Sequence, residues 1–351
     1  MSGGPARPAV PTGPPPEWTA DQIAAASVEQ IAKGHLPLQA QWRINEQRQR
    51  SDAGESGAFT SALSVEEFAA IRSVGFSPVG QVLGSAVYNV GWSYSGCGYV
   101  GAYGGMRYGR GFNQGGFSGQ GMGGYGGYGS RWQPAPVVDV PAVRNLLEQA
   151  RHRAVERMRV ECEGLGGDGV VGVRLTVTSF YGNGLEFMAI GTAVRADGAQ
   201  RPKQPFTSDL SGQDFAKLMR AGWVPVDLVQ GVGAVIRHDD WAQRMQQSSW
   251  MNQEVVGTTQ LVTAARASAR DSLAKDTAKR GGHTVVLQKM QLNVFETRCA
   301  YGGEDAHDHL ADAFIWGTAI VPIDRRGEGH QIPRPIPMLR LDNKKNPKGT
   351  R

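Results

Sequence analysis

The side chains best suited to chemistry lie between residues 299 and 309, in the sequence CAYGGEDAHDH. They are one thiol, three carboxylates and two imidazoles: Cys299, Glu304, Asp305, His307, Asp308 and His309. Thiolates, imidazoles and carboxylates are the usual protein ligands of zinc and other transition metals. The spacing therefore predicts a candidate site for a divalent or soft metal ion in a hairpin. The competing interpretation is an exposed polar hairpin, since neither a Cys-x-x-Cys pair nor a ligand pair on a rigid helix is present.

Other motifs give no support to catalysis. The glycine-rich sequence GLGGDG at residues 164–169 follows a helix and precedes a strand, whereas a phosphate-binding glycine loop has the reverse order. We therefore predict no catalytic residue, no bound cofactor and no enzyme. Asp168, within this turn, could bind a ligand only where copies meet. Cys162 is expected to be a buried apolar residue and His152 to be solvated, while Cys97 has no histidine beside it.

Composition excludes several classes of protein. The chain has 351 residues, a net charge of +5 and three widely spaced cysteines. No apolar run is long enough to cross a bilayer, so no membrane span is expected. The cysteines favour a reducing cytoplasm over a disulfide framework. Much of the positive charge lies in the C-terminal tail, so nucleic acid is not the expected partner.

Two stretches of the chain match each other in sequence and predict the same order of helices and strands. These elements must position any functional site. The sequence FTSALSVEEFAAIR from residue 59 matches FTSDLSGQDFAKLMR from residue 206, 147 positions later, as for Phe68 and Phe215. Further on, a predicted helix matches a second one 115 positions later, as for Ala150 and Ala265. Its apolar stripe is Leu146, Leu147, Ala150, Ala154, Met158 and Cys162, matched by Leu261, Val262, Ala265, Ala269, Leu273 and Thr277. Each copy predicts a short helix, a strand, a long helix and two strands.

The predicted fold class is α+β, with two tandem β-α-β-β units. Each unit is a small antiparallel sheet with one long helix, preceded by a short helix. The predicted divisions are a disordered leader (1–17), an N-terminal helix and linker (18–58), repeat 1 (59–198), repeat 2 (206–323) and a basic, proline-containing tail (324–351). A three-stranded sheet with one helix leaves a face and both edges uncovered, so we expect the chain to associate with itself.

Repeat 1 is longer because residues 91–130 form an insertion rich in glycine and tyrosine. Such a segment can bind RNA or self-associate. The run contains only two arginines, Arg107 and Arg110, and no RGG array. A flexible loop between strand and helix is therefore the favoured interpretation.

Several passages together resemble the YbjQ family, also called the heavy-metal-binding domain family. They are the helix ARHRAVERM, the break and strand GDGVVGVR at residues 167–174, and the closing GTAV at 191–194. Repeat 2 keeps GTAI at 317–320 but has HTVVLQK where repeat 1 has DGVVGVR. The resemblance covers residues 59–196 and 206–323. It implies a β-α-β-β unit similar to dodecin subunits, assembled into a pentameric ring.

The main hypothesis is a cytoplasmic, non-enzymatic, ring-forming scaffold or binding protein. Its leader, glycine-rich loop and tail would be arms that recruit another protein. One alternative is a zinc- or copper-binding protein that uses the 299–309 hairpin. A second alternative is an RNA-associated protein that uses the loop at 91–130 and the tail.

Overall fold

A computed structural model describes residues 11–53, 60–89, 135–179, 184–198, 201–298 and 307–323. This part contains seven helices and eight strands in two sheets, which confirms the predicted α+β class. The helices are α1 (Ala20–Ala32), α2 (Leu38–Asp52), α3 (Val65–Arg72), α4 (Pro141–Gly164), α5 (Gly212–Arg220), α6 (Trp241–Gln247) and α7 (Val256–Lys279). The strands are β1 (Phe76–Asn89), β2 (Val137–Asp139), β3 (Gly169–Ser179), β4 (Gly184–Ala196), β5 (Phe206–Thr207), β6 (Trp223–His238), β7 (Thr284–Arg298) and β8 (His307–Pro322).

Several predictions concern residues outside this described part. They are residues 1–10 of the leader, the glycine-rich loop at 91–130 with Cys97, residues 299–306 of the candidate metal hairpin, and the tail at 324–351. The predicted domain boundaries therefore stay predictions. None of the helices in the described residues is long and apolar enough to span a membrane.

The short helices begin where their capping residues predict. The Thr19 hydroxyl accepts a hydrogen bond from the backbone N–H of Gln22, and the Gln22 side chain accepts one from the backbone N–H of Thr19. Ser64 and Glu67 form the same capping box at α3. Each reciprocal pair satisfies two backbone donors that the first helical turn leaves free. Within the predicted N-terminal helix and linker (18–58), residues Leu38–Asp52 form the second helix, α2, and Ile44 is buried.

The first sheet has the strand order β1-β4-β3-β5. Strand β4 is antiparallel to both neighbours, with Ile190 opposite Leu83 on one side and Arg174 on the other. Strand β5 is parallel to β3, so this sheet is mixed and not wholly antiparallel.

The second sheet has the order β2-β6-β8-β7, and all its pairs are antiparallel. Strands β6, β8 and β7 follow the same order as β1, β4 and β3. The fourth strand of each sheet comes from the other half of the chain: β2 precedes α4 yet pairs with β6, and β5 precedes α5 yet pairs with β3. The prediction of three-stranded sheets was wrong because it ignored these exchanged segments.

The two long helices lie close to the sheets. A Cβ on Gly84 would lie 1.9 Å from the carbonyl oxygen of Ala154 in α4, and one on Gly231 would lie 2.0 Å from that of Ala269 in α7. These glycines therefore permit a close backbone approach of helix and strand. Gly166 and Gly281, with φ of 72° and 71°, lie in the turns that end the helices, as the glycine clusters predict.

Candidate functional site

Helix α4 lies between the two sheets and is buried on both sides. Its stripe faces the first sheet, where Val82 and Phe187 are buried. Its opposite side meets the face of the second sheet that is turned away from α7, where Val232 and Phe314 are buried in the same apolar cluster. The other face of the second sheet packs on α7 through Val229 and neighbouring residues. The layers are therefore the first sheet, α4, the second sheet and α7.

A buried arginine crosses the contact between α4 and the second sheet. Arg151 is 5% exposed, and its guanidinium carbon lies 3.4 Å from the centre of the Phe314 ring. This distance fits a cation–π contact. Burial lowers the pKa of Arg151 to about 9, opposed by the charge of Asp312. Burial also raises the pKa of the Asp312 carboxyl to about 6, against a hydrogen bond from Asn293 and the charge of Arg151.

A second polar network lies further along α4. The Asp227 carboxylate accepts a hydrogen bond of 2.6 Å from Arg159 in α4 and others from Arg280 and Thr207. It also accepts from the backbone N–H of Leu228 at 2.9 Å. One buried carboxylate thus joins α4, β5, β6 and the end of α7. Removing this buried carboxylate is costly, because Arg159 and Arg280 both lose the partner that they share.

His152 was predicted to be solvated, and its side chain, which is 38% exposed, is only partly so. Its Nε2 lies 4.0 Å from Oδ1 of Asp276, and its Nδ1 lies 3.0 Å from the Arg280 guanidinium. Burial is the main cause of a lowered pKa of this imidazole. The sequence places His152 on the charged side of α4, and the end of α7 partly covers it there.

His152 lines a groove of about 640 Å³ between α4, α7 and strand β6. The charged groups along it carry both signs and are Asp139, Arg144, Glu148, Asp271, Lys275, Asp276 and Lys279. Small-molecule sites are usually lined by apolar side chains with few polar groups. The lining of this groove is instead mostly polar and charged, as is common where helices pack at the protein surface.

The described part of the candidate metal hairpin lies at the start of β8. His309 Nε2 lies 2.9 Å from Asp239 Oδ1, and this hydrogen bond is the main cause of the raised pKa of His309. Asp308 Oδ1 lies 2.6 Å from His238 Nδ1. His307 Nδ1 lies 3.4 Å from the Glu296 carboxylate and 3.9 Å from that of Asp239.

Sequence reasoning missed His238 and Asp239, which lie 70 positions before their partners and reach them through the β6–β8 pairing. Within the described residues, no three His, Cys, Asp or Glu side chains are arranged to hold a metal ion. Cys299, Glu304 and Asp305 lie outside those residues, so the six-residue site stays a prediction.

Two other residues singled out by the sequence have structural roles. Cys162 is fully buried, and burial raises the pKa of its thiol to about 12, which confirms it as a buried apolar residue. The Asp168 carboxylate is 6% exposed and accepts hydrogen bonds from the Ala196 backbone at 2.8 Å and from Arg201 at 2.7 Å. Asp168 therefore holds the end of β4 within its own chain.

Comparison with known proteins identifies a family and a relative that this chain resembles. The YbjQ family, described as "Putative heavy-metal-binding", matches residues 139–197, which hold α4, β3 and β4. The Encapsulin nanocompartment protein Rv1762c of Mycobacterium tuberculosis is 34% identical over 284 residues, or 78% of this chain and 89% of that protein.

Shorter relatives match the same central region. A UPF0145 protein of Halorubrum lacusprofundi is 50% identical over 50 residues, and one of Thermotoga maritima is 36% identical over 59 residues. These matches cover 14% and 17% of this chain, and 48% and 56% of those proteins. The chain thus spans about half the length of these UPF0145 relatives. This chain belongs to the YbjQ family.

Proposed function

We propose that this protein is a non-enzymatic scaffold that assembles with copies of itself in the cytoplasm, and that its chain contains two tandem YbjQ-like units. The observation that carries the proposal is the similarity to a relative named as an encapsulin nanocompartment protein. The match covers 89% of the length of that relative. In the proposal, the leader, the glycine-rich loop and the tail recruit another protein.

Matched contacts support two units of one design. The backbone N–H of Leu83 donates to Glu161 at 2.9 Å, and that of Gln230, 147 positions later, donates to Asp276 at 3.0 Å. The Thr192 hydroxyl accepts a hydrogen bond of 3.1 Å from the backbone N–H of Ala62, and the Thr318 hydroxyl accepts one of 3.1 Å from that of Asp209. In both halves a carboxylate of the long helix binds the first strand, and a threonine of the last strand binds the leading segment.

Open surface on the first sheet supports self-association. Leu83 and Val87 of β1 are 38% and 63% exposed, and β1 is an edge strand. Exposed apolar side chains beside an unpaired edge are a common feature of association surfaces. The proposal assigns copies of the same chain to this surface.

Native mass spectrometry of the full chain, purified without chelator or affinity nickel, tests the scaffold. We expect complexes whose masses are whole multiples of the 37.7 kDa chain, and five chains would give the pentamer that the family resemblance implies. A monomer at micromolar concentration would contradict the proposal.

A second candidate function is metal binding by the hairpin at residues 299–309. The observation that favours it is the gathering of His238, His307 and His309 near three carboxylates at one end of β6 and β8. The missing ligands would be Cys299, Glu304 and Asp305.

The same mass measurement with added Zn²⁺ tests this candidate. One bound ion per chain that is lost in a His307→Ala, His309→Ala double variant would support it. Equal uptake by the double variant and the wild type would refute it. His35, a histidine of the N-terminal region, provides a matched His35→Ala control.

A further inference from the structure

We propose that the glycine- and tyrosine-rich segment at residues 90–134 docks on an exposed patch formed by α6 and the loop that follows it. We call α6 patch the side chains of Trp241, Met245, Trp250 and Met251. The segment lies outside the described residues, so the proposal rests on the patch and on the point where the segment ends. It goes beyond the proposed scaffold and does not depend on self-association. A protein that the segment recruits would compete with the α6 patch for the same tyrosines.

All four side chains of the α6 patch are exposed. Trp241 and Met245 are 46% and 52% exposed, and Trp250 and Met251 are 102% and 73% exposed. Soluble proteins rarely expose several large apolar groups together, and such patches mark binding surfaces. Tryptophan is also among the residues that contribute most to binding energy at interfaces. The α6 patch therefore has the composition of a docking site.

Helix α6 turns its apolar side outward. Within this helix, whose residues are all described, only Gln243 is buried. Trp241 and Met245 are four positions apart, so they lie on one side of the helix, and both are exposed. A surface helix normally turns its apolar side to the core and its polar side to solvent. The reversed arrangement of α6 favours a partner for its outer side.

Polar contacts hold α6 and the following loop in place. The buried Arg237 donates hydrogen bonds to Gln243 and to Asp240, the residue that caps α6. At the far end of the loop, the backbone N–H of Val256 donates to Oε1 of Gln246 at 3.0 Å. The loop is thereby tied back to a helix of seven residues, which is about 10 Å long. Because the patch is already ordered, docking on it costs less conformational entropy.

The segment ends beside this patch. The backbone N–H of Ala135, the first described residue after the segment, donates to the Asp240 carboxylate at 3.0 Å. The carbonyl of Ala135 accepts a hydrogen bond of 3.2 Å from Nε of Arg237. The carboxylate that caps α6 therefore also holds the end of the segment. Such a short connection gives the nearby residues of the segment a high effective concentration at the patch.

The side chains of the segment suit the α6 patch. Most tyrosines of the chain lie in the segment, and they are Tyr94, Tyr99, Tyr103, Tyr108, Tyr125 and Tyr128. Pairs of aromatic rings attract each other beyond the burial of their area, and so do methionine sulfur and an aromatic ring. The glycines between the tyrosines permit backbone conformations that place several rings on one small surface.

Two other segments outside the described residues fit the patch less well. The hairpin at residues 299–306 also ends beside α6, because the His307 carbonyl accepts a hydrogen bond of 2.9 Å from the backbone N–H of Asp239. It contains a single aromatic ring, Tyr301. The C-terminal tail follows Pro322, at the other end of β8. A strand of 16 residues spans about 50 Å, so the tail begins far from α6.

Limited digestion of the full chain with trypsin tests the docking. The arginines of the segment, Arg107, Arg110 and Arg131, are trypsin sites, and mass mapping of the peptides assigns each cut. We expect Trp250→Ala to speed cleavage at these sites about tenfold, because cleavage follows the population of the undocked form. Trp18→Ala, which removes an exposed tryptophan (39%) before α1, should leave the rate unchanged.

A change in the segment gives the matching test. Tyr125 and Tyr128 are the tyrosines of the segment nearest in sequence to the anchored Ala135. A Tyr125→Ser, Tyr128→Ser double variant should speed cleavage as Trp250→Ala does. Combining the tyrosine and tryptophan changes should add little, because both remove the same contact.

Several results would overturn the docking. One is cleavage of the wild type as fast as a free peptide of residues 90–134. Another is an unchanged rate in Trp250→Ala, which would mean that the patch is open or holds a different occupant, or an equal effect of Trp18→Ala. Multiplied effects in the combined variant would place the tyrosines elsewhere. Because Trp250 is fully exposed, Trp250→Ala keeps the fold, and circular dichroism verifies this. None of these results bears on the scaffold, which native mass spectrometry tests separately.

Discussion

Replacing Gly231 by alanine should destabilise the second half of the protein. The added Cβ would lie 2.0 Å from the Ala269 carbonyl oxygen and 2.7 Å from the backbone nitrogen and Cβ of Leu273. Ordinary contact with that oxygen needs about 3.4 Å, so α7 would have to retreat by about 1.4 Å at this point, in an interior packed as densely as a crystal.

The retreat has a calculable cost. A gap of about 0.5–1 Å already removes a quarter to a half of the dispersion energy between packed atoms. The stripe of α7 that would lose these contacts includes Leu261, Ala265 and Ala269, which are at most 1% exposed. Overpacking of this kind costs about 1–3 kcal/mol, and the contact with rigid backbone places Gly231→Ala near 3 kcal/mol.

Urea unfolding followed by circular dichroism measures the effect. With a slope of about 3 kcal/mol per M, the midpoint should fall by about 1 M. Gly198→Ala is the control, because no atom lies within 4 Å of its added Cβ. If Gly231→Ala unfolds at the same urea concentration as this control, α7 does not lie against β6 at the described distance, and the reasoning fails.

Three further predictions concern buried polar groups. Asp227→Ala should cost about 3–5 kcal/mol in urea unfolding because Arg159 loses its buried partner. Lys33→Ala, which breaks an exposed pair, should leave the urea midpoint almost unchanged, and equal losses in the two variants would contradict this. Burial raises the pKa of Asp209 to about 6, so the native state holds an extra proton between about pH 4 and 6 and loses stability as the pH rises through that window. Asp209→Asn should therefore be more stable relative to wild type at pH 8 than at pH 4, and a constant difference would refute the assignment. With the other two cysteines replaced by serine, Cys162 should react with a thiol reagent only after unfolding, because its thiol is buried; native-state labelling at the rate of a free thiol would contradict it.

Features that depend on a few neighbouring residues could be predicted from the sequence. The capping boxes at Thr19 and Ser64, the glycine turns after α4 and α7, and the buried position of Cys162 all follow from local spacing. The close approach at Gly84 and Gly231 was predictable because both copies keep a glycine at the same point of a strand. These features need only local backbone geometry and helical periodicity.

The sequence could not show which half each short strand joins. Strand β2 has three residues and β5 has two, so neither contains enough pattern to specify a partner. The two halves offer similar edges, and long-range packing selects between them. The contacts of His152 with Arg280 and of Asp227 with Arg159 follow from that choice, because both join the two halves of the chain.

By itself the sequence determined the mixed α+β class and the membership of the YbjQ family. Only the tertiary structure decided that α4 is covered on both sides and that β2 and β5 are exchanged between the halves. The physical reason is that helical and strand periodicity record which side of an element is apolar, but not which of two similar surfaces will bury it.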